Sequence, residues 1–235
     1  MSEPLTLAIP SKGRLRDQLS TRLSKVDISM TQVSGARGYR AVVDGLPGID
    51  VMLLASSEIA AGLVSGDLHL GVTGEDLIRE AMPDIEGRVS LLKPLGFGFA
   101  DVVVAVPRSW IDVFTMADLD DVCAAFALKN RRRLRVATKY ARITRRFFAR
   151  AGIADYRIVP SDGATEGAPT AGTAEIIVDI TSTGSTLVAN GLKILEDGVI
   201  LKSQAQLAVS HLASWSDEQR IIANQFLSKL GAALP

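Results

Sequence analysis

The sequence predicts an α/β fold with largely parallel strands. Short runs rich in β-branched residues alternate along the chain with segments of helical spacing, and polar or glycine-containing turns separate them. The composition of 235 residues, 47% hydrophobic and 22% charged, is typical of a folded globular chain. This length is sufficient for one large domain or two small ones.

Three strand–helix pairs are predicted in the first part of the chain. The run "LTLAIP" (Leu5–Pro10) predicts a strand, the turn "SKGR" follows it, and "LRDQLSTRLSKV" has helical spacing. The run "IDVMLLA" predicts a second strand before a short helix, "SSEIAAGLVSG", whose first serines are good N-caps. A third strand, "LHLGVTG", ends in a glycine-bounded turn before the helical segment "EDLIREA".

The second part of the chain repeats the alternation. The run "FADVVVAVP" predicts a long strand, and "LRVATKY" and "YRIVPS" predict strands on either side of the helix "ARITRRFFARAG". The run "AEIIVDI" is the last clear strand.

Two domain crossings are predicted. The first lies in "LGFGFADV" (Leu95–Val102), where two glycines alternate with aromatic residues just before a strand. The second follows the Thr/Ser/Gly loop after "AEIIVDI". Residues 1–98 would form a first domain, residues 99–188 a second domain with that loop, and residues 189–235 a return segment with a C-terminal helix. Clefts between α/β domains commonly hold ligands, so we expect a ligand site there.

Composition excludes several classes of function. Lys and Arg total 26, as do Asp and Glu, and this balance argues against a general nucleic-acid binder. One cysteine and two histidines allow no internal disulfide and no cysteine- or histidine-built zinc site. We expect no signal peptide and no membrane span, and therefore a cytoplasmic protein.

The loop in "IIVDITSTGST" predicts a phosphate site. Gly184 permits a close approach of backbone to ligand, and the surrounding side chains offer hydroxyl donors. The segment "TLVANGLKIL" is predicted to be helical, so its N-terminus would add partial positive charge. Asp179, at the strand end, is well placed to accept hydrogen bonds from sugar hydroxyls, so the pattern suits a ribose 5-phosphate group. The alternative is an ordinary strand-to-helix turn with Ser/Thr caps.

Five segments in the same order resemble the ATP phosphoribosyltransferase family. They are "IPSKGRL", "GDLHLGVTGEDLI", "RVATKYARITRRFF", "SDGATEGAP" and "DITSTGSTL". The resemblance spans roughly residues 5 to 210 and implies a two-domain fold like that of the type II periplasmic binding proteins. One segment departs from the family pattern: Ala55, Glu58 and Ala60 stand where the family has Arg, Asp and Pro, so no role is carried over to this stretch.

The resemblance also implies a reaction and partners. The reaction joins N1 of the adenine of ATP to the anomeric carbon of phosphoribosyl pyrophosphate, which is the first step of histidine biosynthesis. Mg²⁺ is the expected cofactor, bound mainly through substrate phosphates. The chain length resembles that of the family's short form. That form works with a regulatory subunit similar to a histidyl-tRNA synthetase, and its catalytic chains pair as dimers within a hetero-octamer.

Candidate site residues follow from the motifs. The candidate catalytic residues are Asp179, Glu166 and Lys12; for Glu166 a turn-stabilising role is an equal alternative. The loop residues expected to bind phosphoribosyl pyrophosphate with Asp179 are Thr181, Ser182, Thr183, Gly184, Ser185 and Thr186.

A second set of residues is expected to contact ATP or pyrophosphate. It comprises Lys12, Arg14, Gly71, Thr73, Gly74 and Lys139. The alternatives are solvated turn residues for Lys12 and Arg14, and a simple helix cap for the strand end that contains Gly74. The basic run "KNRRRLR" is interpreted as a solvated face, His69 as structural and Cys123 as core.

Two competing functions remain open. One is a cytosolic small-anion or amino-acid binding protein of the same two-domain fold. The other is a phosphoribosyltransferase that acts on a different base.

Overall fold

The computed structural model describes residues 3–33, 39–82 and 84–235, and the elements within them alternate as predicted. In chain order they are β1 (Leu5–Pro10), α1 (Arg14–Ser24), β2 (Met30–Gln32), β3 (Arg40–Val43), β4 (Ile49–Leu54), α2 (Ser56–Ser65), β5 (Leu70–Gly74), α3 (Glu75–Ala81), β6 (Val89–Pro94), β7 (Ala100–Pro107), α4 (Met116–Asn130), β8 (Leu134–Thr138), α5 (Ala141–Arg150), β9 (Tyr156–Pro160), a 3₁₀ turn (Thr165–Gly167), β10 (Ile176–Thr181), α6 (Ser185–Ala189), β11 (Leu192–Ser203), β12 (Ala205–Ser210) and α7 (Asp217–Lys229).

The chain divides into two compact units. Unit 1 comprises Met1–Gly98 and Gln204–Pro235, and unit 2 comprises Phe99–Ser203. The return to unit 1 comes after Ser203, whereas the sequence placed it after residue 188. The reason is β11, which pairs with β7 and so belongs to the sheet of unit 2.

Unit 1 contains a seven-stranded sheet in the order β2-β3-β4-β1-β5-β12-β6. Only its centre is parallel, where β1 lies between β4 and β5, and the other pairings are antiparallel. Helices α1 and α7 cover one face through Leu19, Leu23, Phe226 and Leu227. Helices α2 and α3 cover the other face with their own apolar cluster. The α/β class is therefore confirmed, but the sheet is mixed rather than largely parallel.

Unit 2 contains a five-stranded sheet in the order β11-β7-β10-β8-β9. β10 is central, antiparallel to β7 and parallel to β8. Ile176, Ile177 and Val178 of β10 are fully buried, so the core fixes this strand and the position at which it ends. A cluster of buried residues that includes Ile177, Leu187 and Leu192 packs the segment after the loop back onto the sheet.

Three predictions of local structure can be compared with the structure: the segment after the loop, the start of α2 and the role of His69. The segment "TLVANGLKIL" is not one helix, because α6 ends at Ala189 and β11 begins at Leu192. Helix α2 begins at Ser56 as predicted, but its N-cap is Ala55, whose N–H donates to Glu58 Oε2 at 2.7 Å. His69 is buried and bonded through both ring nitrogens, to Thr6 Oγ1 and the Ser214 carbonyl, which is a structural role.

The stretch that departs from the family pattern has a structural explanation. Glu58 accepts the N–H of the N-cap residue Ala55, and Ala60 is 1% exposed within the apolar cluster under α2. No helix in the described part of the chain is long and apolar enough to span a bilayer.

Candidate active site

A cavity of about 330 Å³ opens in unit 2 where β10 ends. Its walls come from the end of β10, the following loop, the start of α6 and the 3₁₀ turn, namely Glu166, Asp179, Ile180, Thr181, Ser182, Thr183, Thr186 and Leu187. Six of these eight were predicted from the sequence, so the structure brings the predicted loop, Asp179 and Glu166 together around one space.

The loop after β10 is held open by hydrogen bonds among its own residues. Gly184 has a φ of 74°, a conformation that favours glycine, and its N–H donates to Thr181 Oγ1 at 2.8 Å. Thr183 Oγ1 and Ser185 Oγ share a hydrogen bond of 2.8 Å. Ser182 Oγ donates to the Phe99 carbonyl at 2.9 Å, which ties the loop to the chain just before β7. The loop is therefore shaped before any ligand binds.

The donors that this geometry presents are hydroxyls and backbone amides rather than a long helix. Ser182, Thr183, Ser185 and Thr186 are exposed to solvent. Helix α6 has only five residues, so its dipole contributes less than the sequence predicted. A compact array of neutral donors around a small space suits a phosphate group, because phosphate oxygens accept several hydrogen bonds at once.

Two carboxylates face the same cavity. Burial raises the pKa of Asp179, while the N–H of Ile180, 2.8 Å from Oδ1, and the Lys139 ammonium oppose the rise. The charge of Glu166 raises it further. A half-buried carboxylate with unfilled acceptor capacity binds neutral donors such as sugar hydroxyls well.

Lys139 lies on the same side of unit 2. It follows the end of β8, the strand that runs parallel beside β10, and its side chain is exposed. Its charge acts on Asp179, and its Nζ lies 5.0 Å from the centre of the Tyr140 ring. A cation therefore acts on Asp179 from this side, whereas Tyr140 itself is fully buried.

The candidates in unit 1 separate into exposed and buried residues. Lys12 and Arg14 are exposed, between β1 and α1, next to Gly13 with a φ of 81°. Thr73 is fully buried, and its Oγ1 donates to the Ser56 carbonyl at 2.8 Å. A Cβ on Gly71 would lie 2.7 Å from the Ile59 side chain. Gly71 and Thr73 therefore have packing roles, and neither presents a side chain to a ligand.

The third strand-end candidate of unit 1 has a capping role. Gly74 is buried and is the N-cap of α3, as the helix-cap alternative predicted. The next side chain, Glu75, accepts hydrogen bonds from Arg79 and Gln206.

One structural pair was missed by the sequence reasoning. Two arginines of the basic run, Arg132 and Arg135, bind Glu175 at 3.0 and 2.7 Å, immediately before β10. The run was interpreted as a solvated face, and no local pattern pairs its arginines with an acid some forty residues later.

The fold and the site together define a two-unit α/β protein with a hydroxyl-rich loop and two carboxylates at the end of a central strand. In α/β proteins, ligands commonly bind beyond the carboxyl ends of strands, and phosphates bind where loops and helix N-termini present backbone amides. A family model described as "HisG: ATP phosphoribosyltransferase" matches residues 55–231. The chain belongs to the ATP phosphoribosyltransferase family, and it is a glycosyltransferase.

Individual relatives agree with this assignment. The chain is 60% identical over 232 residues to the ATP phosphoribosyltransferase of Caulobacter vibrioides, covering 99% of this chain and 72% of that protein. The ATP phosphoribosyl transferase (HisG:HisZ) complex from Thermotoga maritima contains a similar chain, with a TM-score of 0.72 and 27% identity over 97% of this chain and 96% of that one.

A third likeness concerns the fold alone. The probable amino-acid transporter binding protein ytmK from Bacillus subtilis matches with a TM-score of 0.52 and 11% identity, covering 98% of this chain and 92% of that chain. The predicted fold class is thereby confirmed. A likeness at this identity gives no support to an amino-acid-binding function, so the family assignment displaces that alternative.

Proposed function

We propose that the chain joins N1 of the adenine of ATP to the anomeric carbon of phosphoribosyl pyrophosphate, releasing pyrophosphate in the first step of histidine biosynthesis. The observation that carries this proposal is the cavity in unit 2. It combines a preformed hydroxyl-rich loop with two carboxylates in a chain of the ATP phosphoribosyltransferase family. These are the groups needed for a phosphate and for sugar hydroxyls.

The loop residues hold the 5′-phosphate of the sugar donor. The hydroxyls of Thr181 and Ser182 are bonded within unit 2, and those of Thr183 and Ser185 to each other, so Thr183 and Ser185 would exchange their mutual bond for bonds to the phosphate, together with Thr186 and the loop amides. Gly184 is needed because its backbone has a positive φ. Asp179 accepts hydrogen bonds from the ribose hydroxyls, and this fixes the anomeric carbon relative to the phosphate.

The chemical step is a substitution at the anomeric carbon. The carbon–oxygen bond breaks with its electron pair leaving on pyrophosphate, and the lone pair of adenine N1 forms the new carbon–nitrogen bond. Alignment of a weak nucleophile contributes up to about 7–11 kcal/mol in favourable cases, so positioning is the main task of the protein. Positive charge that develops on the sugar is stabilised by Asp179 and Glu166.

Cationic side chains serve the departing pyrophosphate. Lys139, whose charge acts on Asp179, contacts the pyrophosphate oxygens. Lys12 and Arg14 are exposed and contact ATP or pyrophosphate oxygens, for which the arginine fork is suited. Gly71, Thr73 and Gly74 are all buried, so they could contribute only through backbone groups, since the Thr73 hydroxyl already donates to the Ser56 carbonyl.

Magnesium fits these residues as a substrate-borne ion. The described residues contain no group of three or more His, Cys, Asp or Glu side chains that could hold a metal. Asp179 and Glu166 line one cavity, and Mg²⁺ commonly uses one or two carboxylates together with substrate phosphates. When bound, the ion neutralises pyrophosphate charge, and these two side chains would hold it.

The proposed assembly includes a second subunit. Its support is the Thermotoga maritima structure, whose title names a HisG:HisZ complex. We therefore propose a histidyl-tRNA-synthetase-like regulatory subunit, a dimer of catalytic chains and a hetero-octamer in the cytoplasm. The short form is supported by this HisG:HisZ neighbour, and the Caulobacter vibrioides relative is aligned over 72% of its own length.

A direct assay tests the proposal. The chain, with and without its regulatory subunit, is mixed with ATP, phosphoribosyl pyrophosphate and Mg²⁺, and pyrophosphate release and the ultraviolet absorbance of the adduct are followed. We expect adduct formation that the regulatory subunit stimulates. Pyrophosphate release with another purine but not with ATP would favour a different base as acceptor. No release with any base, in the presence of the subunit, would contradict a transferase.

A further inference from the structure

An exposed phenylalanine, Phe99, is bonded through its carbonyl to the loop after β10, residues 181–186, which we call the phosphate loop. Phe99 is 57% exposed, and no ring or cation contact involves it within the described part of unit 2. It follows Gly98, whose positive φ of 66° is a backbone conformation that favours glycine. A large aromatic side chain held out into solvent at such a fixed point suggests a partner ring.

Hydrogen bonds fix Phe99 relative to the loop. Its carbonyl accepts from Ser182 Oγ at 2.9 Å, and two residues later Asp101 lies opposite Thr181 in the pairing of β7 with β10. Phe99 does not line the cavity itself, but its carbonyl is bonded to Ser182, which does. A base that attacks the anomeric carbon of a donor anchored on this loop must therefore approach from the surroundings of the loop.

We propose that Phe99 is the stacking platform for the adenine ring of ATP. This inference rests on the proposed function, in which adenine N1 must reach the anomeric carbon of a sugar anchored on the loop. A phenyl ring beside the loop can hold the purine face by stacking, which leaves the N1 edge free to react. The backbone bond from Ser182 then places the acceptor base and the donor phosphate on one rigid frame.

A second exposed phenylalanine in unit 2 provides a matched control. Phe114 is 50% exposed, but Lys193 Nζ lies 4.3 Å from the centre of its ring, and it does not line the loop cavity. Its replacement removes the same amount of side chain from the same unit. The two phenylalanines differ in their position relative to the loop after β10 and in the lysine contact, which only Phe114 has.

The test measures binding by the full-length chain with isothermal titration calorimetry. The probes are ATP, inorganic tripolyphosphate and phosphoribosyl pyrophosphate, and the variants are Phe99→Ala, Phe99→Leu, Phe99→Tyr and Phe114→Ala. We expect Phe99→Ala and Phe99→Leu to weaken ATP about tenfold, since base stacking is worth about 1–3 kcal/mol. Tripolyphosphate and phosphoribosyl pyrophosphate should bind as before, and Phe99→Tyr and Phe114→Ala should match the parent protein.

Other results would overturn the inference. If Phe99→Leu binds ATP as the parent protein does, an apolar cover rather than a stacked ring is what matters. If Phe99→Ala weakens phosphoribosyl pyrophosphate as much as ATP, Phe99 serves the loop and not the base. If the parent protein itself shows no ATP binding but does bind phosphoribosyl pyrophosphate, the failure lies in the proposed acceptor.

Discussion

Glu175, which binds two arginines immediately before β10, gives the most quantitative prediction. Glu175 is 14% exposed and accepts hydrogen bonds from the Arg132 and Arg135 side chains and from the Arg135 N–H. Burial alone would raise the pKa of Glu175, but these bonds together outweigh it and hold the pKa at about 2, against an ordinary value of 4.5. We therefore predict that Glu175→Gln destabilises unit 2, and with it the strand that ends at the phosphate loop.

The size of the effect follows from the pKa. A fall from 4.5 to about 2 corresponds to about 3.4 kcal/mol of stabilisation by the carboxylate. Arg132 and Arg135 are 46% and 29% exposed, so solvent screening reduces the expected loss to about 2–3 kcal/mol. Because the folded-state pKa is the lower one, this contribution is complete above about pH 5 and falls as the pH drops toward 2.

Urea denaturation measures the effect. Trp110 reports on unit 2, so the transition is followed by its fluorescence in a Trp215→Phe background. The control is Asp155→Asn, which breaks an exposed pair whose nitrogen and oxygen are 3.8 Å apart, and a change below about 0.5 kcal/mol is expected. The difference between Glu175→Gln and the parent protein should shrink by roughly half at pH 3. A difference that is small at pH 7, or the same at both pH values, would refute the reasoning.

Three further predictions concern the site and the core. Asp179→Asn should lower kcat/KM for phosphoribosyl pyrophosphate yet raise Tm at neutral pH. Since burial raises the pKa of this acid, its charged form costs stability above that pKa. Unchanged kcat/KM would remove Asp179 from the site. Thr186→Val should weaken phosphoribosyl pyrophosphate about tenfold in calorimetry, because a hydrogen bond to a charged group is lost, while the surface change Thr21→Val leaves it unaltered. Cys123 should resist a disulfide reagent until urea unfolds the chain, because burial raises the pKa of its thiol to about 12; rapid labelling of the folded protein would contradict this.

Much of the fold was predictable because its signals are local. The strand Leu5–Pro10 and the helix that begins at Ser56 follow from apolar spacing and turn chemistry that lie within a few residues. The loop after β10 was predictable for the same reason, since a buried strand, an acid and a run of hydroxyls are adjacent in the chain. The resemblance to the ATP phosphoribosyltransferase family then assigned these separate motifs to one reaction.

The remaining features depend on contacts between distant segments. The segment after the phosphate loop has helical spacing, yet Leu192–Ser203 pairs with β7 and becomes a strand, which also moves the unit boundary. Thr73 has a suitable side chain at a strand end, but α2 covers it and uses its hydroxyl. The pairing of Arg135 with Glu175 and the bond from Ser182 to Phe99 join residues that are far apart in sequence, so no local sequence pattern predicts these contacts.

A crystal structure of the protein with phosphoribosyl pyrophosphate tests the central claim most directly. We predict that the 5′-phosphate lies within hydrogen-bond distance of the amides and hydroxyls of residues 182–186, and that Asp179 accepts hydrogen bonds from the ribose hydroxyls. A phosphate bound at another place, with this loop closed on itself, would contradict it.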